Sequence, residues 1–119
     1  MVAPNASIGI ECELDMIGID LVYIPEFEQQ FMLGDATFLQ KTFNVDELRN
    51  RRTEHLAGLW AAKEAVAKAA SDPVRKWTDI AITHDKDGKP SARFGDDDYY
   101  ISIAHHGDYA VAISYRAAA

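Results

Sequence analysis

The chain has 119 residues, 48% apolar, 10% aromatic and 26% charged, with one cysteine and a formal net charge of −7. That length holds one domain of roughly 100–150 residues around one core, and the composition is globular rather than disordered. The lone Cys12 excludes an internal disulfide framework and a cysteine-built zinc site, the acidic balance speaks against general nucleic-acid binding, and no apolar run approaches the ~20 residues of a membrane span. A cytoplasmic setting follows from the reducing compartment that a single cysteine suits, and Met1 to Pro4 lacks the basic region of a secretory leader.

The charge is unevenly spread. Residues 1–40 carry seven acids and no Lys or Arg, whereas residues 41–93 carry eleven of the twelve basic residues against eight acids. Residues 94–119 carry Arg116 against four acids. A basic middle in an acidic chain reads either as solvated helix and hairpin surface or as a local anion site.

Taken in chain order, Ile8 to Leu14 alternates apolar and polar residues and predicts a short strand. Met16 to Ile24 is a nearly continuous apolar run, the pattern of a strand buried on both faces. Pro25 suits the first turn of a helix that places Phe27 and Phe31 on one face. Thr37 to Asn44 reads as irregular, with Thr42 or Asn44 capping a short helix around Asp46–Asn50. The strongest helix runs from about Thr53 to Ala70, rich in Ala, Leu, Glu and Lys, and ends before Asp72-Pro73. Strands follow near Trp77–His84, Ser91–Phe94, Tyr99–Ala104 and Ala110–Tyr115, with Asp87-Gly88 as a hairpin turn between the first two. Helices first and an antiparallel sheet later make the fold α+β, a long helix packed on the sheet.

Three features carry chemistry. Asp20 interrupts an otherwise uncharged strand, so its carboxylate must be paired, bound to a metal or aimed out of the strand end. On the long helix, Leu56, Trp60, Glu64 and Lys68 share one stripe; taken alone, Glu64 and Lys68 read as an exposed ion pair worth a few tenths of a kcal/mol. Glu54 and Lys63 lie on other faces and read as surface. His105 and His106 end a strand before Gly107-Asp108, a place where ligand contacts concentrate, although such a pair taken alone is more often hydrogen-bonded structural histidines and does not suit zinc. Two separated carboxylates and a helix cation are compatible with divalent-cation chemistry on a phosphate ester. No Walker-type loop, His-Glu-x-x-His or Gly-x-Ser-x-Gly motif is present.

Five segments taken together resemble a known family. They are Gly18-Ile-Asp-Leu21; Phe43 with Asp46-Glu-Leu48; the run from Leu56 to Ala69 containing Trp-Ala-Ala-Lys-Glu-Ala; Asp87-Gly-Lys-Pro90; and Ser102-Ile-Ala-His105 followed by Gly107-Asp-Tyr-Ala110. In order and spacing, from about Met16 to the C-terminus, they are similar to the holo-(acyl-carrier-protein) synthase family of 4′-phosphopantetheinyl transferases. The resemblance implies transfer of the phosphopantetheine arm of coenzyme A to a serine of an apo acyl carrier protein, with release of adenosine 3′,5′-bisphosphate. It implies Mg²⁺, with Mn²⁺ as a substitute, held by Asp20 and Glu64, and Lys68 reaching the coenzyme A diphosphate. His105 would contact a phosphate, and Gly88 and Pro90 would line the nucleotide. Glu64 is the preferred base for the carrier serine and Asp20 the alternative.

The resemblance further implies a homotrimer with sites at subunit interfaces, one domain over residues 16–119 and an N-terminal extension over residues 1–15, with neither nucleic acid nor membrane as a partner. Three departures stand out. Leu59 occupies a position where the family commonly has Arg, which leaves Arg51 or Arg52 to substitute; Ala104 replaces a hydroxyl residue; and the stretch after Asp20, often basic where it docks acidic carriers, holds Glu26, Glu28 and Asp35. A carrier domain of a type I fatty-acid or polyketide synthase accommodates that acidity. A non-catalytic carrier-binding or assembly domain is the competing reading, and a Mg²⁺-dependent phosphodiester hydrolase a third.

Overall fold

The structure, a computed structural model, describes residues 16–117. The strand expected at Ile8–Leu14 lies outside them. Strand β1 (Ile17–Tyr23) leads into helix α1 (Ile24–Phe27), where Pro25 sits in the first turn and needs no hydrogen-bond partner for its nitrogen. The chain continues as a wider π-turn over Glu28–Met32, so Phe27 and Phe31 stack with centroids 4.8 Å apart. Helix α2 (Thr37–Thr42) replaces the irregular segment expected there. Its start is fixed by Asp35, whose Oδ1 accepts hydrogen bonds from the Thr37 amide at 3.0 Å and the Thr37 hydroxyl at 2.7 Å. The short helix expected at Asp46–Asn50 is a single 3₁₀ turn, Glu47–Arg49. Neither Thr42 nor Asn44 caps it; instead the Asn44 amide donates to Glu47 Oε1 at 2.8 Å.

Helix α3 (Thr53–Ala69) is the long helix that Ala, Leu, Glu and Lys favour. A 3₁₀ turn at Trp77–Asp79 precedes β2 (Ile80–His84), and then come β3 (Pro90–Phe94), β4 (Asp97–His106) and β5 (Tyr109–Arg116). The five strands form one sheet in the order β1-β5-β4-β3-β2, with every pairing antiparallel. Helices on one face of an antiparallel sheet confirm the α+β class.

Strand β1 is an edge strand, not one buried on both faces. Gly18 and Val22 face α3, whereas Ile17, Ile19, Leu21 and Tyr23 are 46–62% exposed. Among the described residues, helices cover a single face of the sheet, and the apolar residues of the other face are exposed. Tyr109, Ile113 and Tyr115 of β5 and Tyr100 of β4 extend that face through the register Ile19↔Ile113, Ile17↔Tyr115 and Tyr100↔Tyr115.

On the covered face, α3 buries Leu56, Ala57, Ala61, Ala62, Ala65, Val66 and Ala69 against Ile80, Ile101, Ala110 and Ala112. Small residues on both sides bring helix and sheet close together. The approach is tightest at Gly18, where a Cβ would collide with the carbonyl of Ala65. Ser114, on the neighbouring strand, donates its hydroxyl to that same carbonyl at 2.9 Å.

Lys63 corrects another expectation. It is fully buried, and its ammonium donates to Glu47 Oε1 at 2.9 Å, Trp77 O at 3.0 Å and Ile80 O at 2.6 Å. Glu47 in turn accepts from the amides of Asn44 and Ile82. Burial lowers the Lys63 pKa, and the Glu47 carboxylate opposes that shift. With three donors and three acceptors the ammonium has no bond left to make, so this pair ties the 43–50 segment and β2 to the helix.

The collision at Gly18 has a measurable consequence. Gly18→Ala is expected to lower the unfolding free energy by about 3 kcal/mol, because helix and strand must separate to admit the methyl group. Gly34→Ala, whose new methyl would meet only Gln30 O at 3.5 Å, should change it by about 0.5 kcal/mol or less. Urea denaturation of the two variants tests the difference.

Candidate active site

The tight β1–α3 contact sets two turns of the helix against the middle of the edge strand. Asp20 lies on the helix-facing side, two residues beyond Gly18, and is paired across the ladder with Ala112. Its Oδ1 accepts from Lys68 Nζ at 3.0 Å, and Lys68 also donates to the backbone oxygen of Ile19 at 2.9 Å. Only 11% of the Asp20 side chain is exposed, and among the described residues its buried Oδ2 has no hydrogen-bond partner. Glu64, one helical turn before Lys68, faces the same carboxylate. Burial, together with the contact and negative charge of Asp20, pushes the Glu64 pKa up to about 8 against the pull of Lys68. Of the exposed Glu–Lys pair expected from the helix alone, Lys68 is exposed but bonds to Asp20, and Glu64 is half-buried against that same carboxylate.

That donor set suits a hard divalent cation. It offers two carboxylates, one with an orphaned buried oxygen and one reluctant to ionise while no further positive charge is near. No three His, Cys, Asp or Glu side chains among the described residues are grouped to hold a metal on their own. A cation at Asp20 and Glu64 would therefore need oxygens from a ligand and from water, as Mg²⁺ at phosphate sites does. Glu64 also lines a cavity of about 250 Å³ with Leu21, Tyr23, Gln30 and Trp60, whereas Asp20 does not.

His105, Gly88 and Pro90 come together elsewhere. The C-terminal ends of β2 and β4 and the hairpin between β2 and β3 surround a second cavity of about 170 Å³, lined by His55, Leu59, His84, Gly88, Pro90 and His105. Gly88 has φ 84°, the left-handed conformation that its turn demands. His105 and His106 are the last residues of β4, as the sequence indicated. Through His55, Leu59 and His84 this cavity adjoins a groove of about 430 Å³ bordered by Arg49 and Asn50. Arg51 and Arg52 line neither; Arg52 pairs with Glu54 at 3.3 Å on the surface. Leu59, at 1% exposure, brings no charge to the cavity wall. The sequence reading missed His55 and His84, because nothing in their spacing links a helix start to a strand end.

These two clusters lie in the segments that known proteins match. The family model of the 4′-phosphopantetheinyl transferase superfamily aligns with residues 16–114. The chain belongs to that superfamily. A holo-[acyl-carrier-protein] synthase of Corynebacterium efficiens is 35% identical over 127 residues, covering 82% of this chain and 89% of that one. Among solved structures, an ACPS–CoA complex of Chronobacterium ammoniagenes superposes with a TM-score of 0.73 at 30% identity, covering 86% of this chain and 96% of that one. A Helicobacter pylori holo-[acyl-carrier-protein] synthase in complex with coenzyme A gives 0.78 at 25% identity, covering 86% and 100%. Superfamily membership thus makes the chain a transferase of phosphopantetheine type, with the α+β fold those structures share.

A carboxyl group whose folded pKa exceeds its ordinary value holds its proton more tightly in the folded state. Glu64 therefore leaves stability intact below its ordinary pKa of 4.5 and opposes folding increasingly as pH rises toward about 8. Glu64→Gln, which cannot ionise, is expected to raise the melting temperature by roughly 4 °C at about pH 8.5 and to change it little at about pH 4. Thermal melts at both pH values check this; equal effects would contradict it.

Proposed function

We propose that this chain transfers the 4′-phosphopantetheine group of coenzyme A to a serine of an apo acyl carrier protein or carrier domain, in a Mg²⁺-dependent reaction that releases adenosine 3′,5′-bisphosphate. The observation that carries this reading is the convergence of Asp20, Glu64 and Lys68 at the β1–α3 contact, in a chain whose relatives are named for this reaction. The coenzyme A complexes among its structural neighbours supply the ligand.

Asp20 and Glu64 hold the cation, for which Mn²⁺ substitutes. When bound, it supplies charge stabilisation for the diphosphate and its leaving group. Lys68, pinned by Asp20 and Ile19 O, presents its ammonium to the same diphosphate. Glu64 accepts the proton of the carrier serine; the serine oxygen bonds to the β-phosphorus as the bond to the departing adenosine 3′,5′-bisphosphate breaks. Glu64 suits this role better than Asp20, because it opens into the 250 Å³ cavity while Asp20 is tied to Lys68 and buried. His105, Gly88 and Pro90 receive the nucleotide end.

The cavity beside Glu64 and the cavity beside His105 share no lining residue. A homotrimer that sets one chain's carboxylates beside another's histidine cavity resolves that separation. The open apolar face of β1 and β5, with Ile17, Ile19, Leu21, Ile113 and Tyr115, supplies the surface such an assembly buries. The acidic stretch Glu26–Asp35 favours a carrier that is not strongly acidic along its docking helix, as in a type I fatty-acid or polyketide synthase. A cytoplasmic setting goes with the single cysteine. No described helix is long and apolar enough to cross a membrane.

Incubation with coenzyme A, Mg²⁺ and apo carrier should add the mass of one phosphopantetheine to the carrier, and Asp20→Ala or Glu64→Ala should each slow the transfer by about a hundredfold or more. An unmodified carrier, or undiminished rates in both variants, would overturn the reading. Light scattering should give three times the chain mass, and Ile19→Asp should lower it to one chain with loss of transfer; a monomeric, active parent would remove the trimer.

A further inference from the structure

His55, His84 and His105 converge on the cavity of about 170 Å³ from three separate elements: the first turn of α3, the end of β2 and the end of β4. The His55 and His84 rings lie 6.0 Å apart, centroid to centroid, and tilted by 31°. His105 Nε2 is 2.8 Å from the backbone oxygen of Glu54. A carbonyl only accepts, so Nε2 carries a hydrogen, and Nδ1 offers one to a ligand only when the ring is an imidazolium. Gly58 makes this orientation possible. A Cβ there would come within 2.8 Å of His105 Nε2 and 3.0 Å of Ile103 Cγ2, which would force the ring off the helix.

Four acids of the surrounding segments are already spoken for. Glu54 pairs with Arg52 at 3.3 Å and Asp46 with Arg49 at 3.2 Å, while Glu47 is bound to the buried Lys63. Asp85, at the start of the hairpin, spends its Oδ1 on the amides of Asp87 and Lys89. Among the described residues none of the three imidazoles has a carboxylate in salt-bridge contact. Burial first, and then the charges of His84, His105 and Arg52, hold the His55 pKa below its ordinary value. The three imidazoles converge with no carboxylate among the described residues in contact with them, so an anion that fills the cavity has to come from outside. Among the described residues no group of three or more His, Cys, Asp or Glu side chains is disposed to hold a metal.

We propose that His55 and His84 are nucleotide-binding residues which, with His105, form a three-imidazole clamp for the terminal phosphate monoester of coenzyme A, closing with uptake of protons from solvent. This rests on coenzyme A being the substrate. Each proton passes from water or buffer to an imidazole nitrogen, and the dianionic monoester pairs with the imidazolium groups it has stabilised. The wall at Leu59 provides no permanent charge, so positive charge on the three rings of the clamp comes from imidazolium, which a bound anion stabilises. Nucleotide affinity then depends on pH through the clamp and not only through the carboxylates at Asp20 and Glu64.

Calorimetric titration of the intact protein with coenzyme A and with 3′-dephospho-coenzyme A, at about pH 7 in two buffers of different ionisation enthalpy, reads both preference and proton uptake. The parent should prefer coenzyme A by about tenfold or more and take up about one proton that dephospho-coenzyme A does not. His55→Gln and His84→Gln should each shrink the preference to about threefold, and the double variant should remove both preference and uptake. His84 is exposed, so His84→Gln keeps the test open should the half-buried His55 prove needed for folding. Variants that retain the full preference and uptake would overturn the clamp while leaving the transferase reading in place. A parent that binds both ligands equally would do the same, and a parent that binds neither would overturn both.

Discussion

The molecule depends on how closely strand β1 lies against helix α3. At Gly18 the strand backbone meets the carbonyl of Ala65, with no space for a single methyl group, and Ser114 hydrogen-bonds to that carbonyl from the adjacent strand. The helix contributes alanines at 61, 62, 65 and 69 so that nothing holds the two elements apart. Everything chemical at this end follows from that distance. With β1 so near, Lys68 reaches both the oxygen of Ile19 and the carboxylate of Asp20, and Glu64 is pressed against the same carboxylate. A site built on a rigid strand and a rigid helix holds its geometry better than one built on loops.

Helix α3 also carries two adjacent charged residues with opposite fates. Lys63 and Glu64 are neighbours in sequence, yet they point to different sides of the helix. Lys63 is enclosed with Glu47 in a network in which the ammonium finds three acceptors and the carboxylate finds backbone amides, so the pair is saturated and serves as scaffold. Glu64 faces an Asp20 carboxylate whose one oxygen is bonded to Lys68, and the other Asp20 oxygen is left without a partner among the described residues. The unsaturated group is the one with chemistry left to do. The histidine cavity follows the same rule, because acids near it are paired elsewhere and, among the described residues, no carboxylate pairs with its imidazoles.

Much of this was legible in the sequence, and the exceptions share a cause. The long helix, the hairpin at Asp87-Gly88 and the antiparallel strands after it stood where local propensity put them. Helix α2 was missed because its start rests on an Asp35–Thr37 side-chain contact that periodicity does not register. Strand β1 was read as buried on both faces because a continuous apolar run looks the same whether its second face meets a helix or is left open. Lys63 was read as surface because a helical wheel gives direction but not what lies in that direction, and Glu47 arrives from 16 residues away.

The sequence by itself determined the family and the α+β class and singled out Asp20, Glu64, Lys68 and His105 as candidates, because ordered motifs and one charge inside an apolar strand are local properties of the chain. Only the tertiary structure decided which of those residues meet. It put Asp20 beside Glu64 and Lys68, kept His105 apart from them, and brought His55 and His84 to His105 from elements about 50 and 20 residues distant in sequence. The reason is physical: a side chain's neighbours across helix and sheet are set by register and by the closest approach of backbones, here the missing Cβ atoms at Gly18 and Gly58, and neither quantity is written in the spacing of residues along the chain.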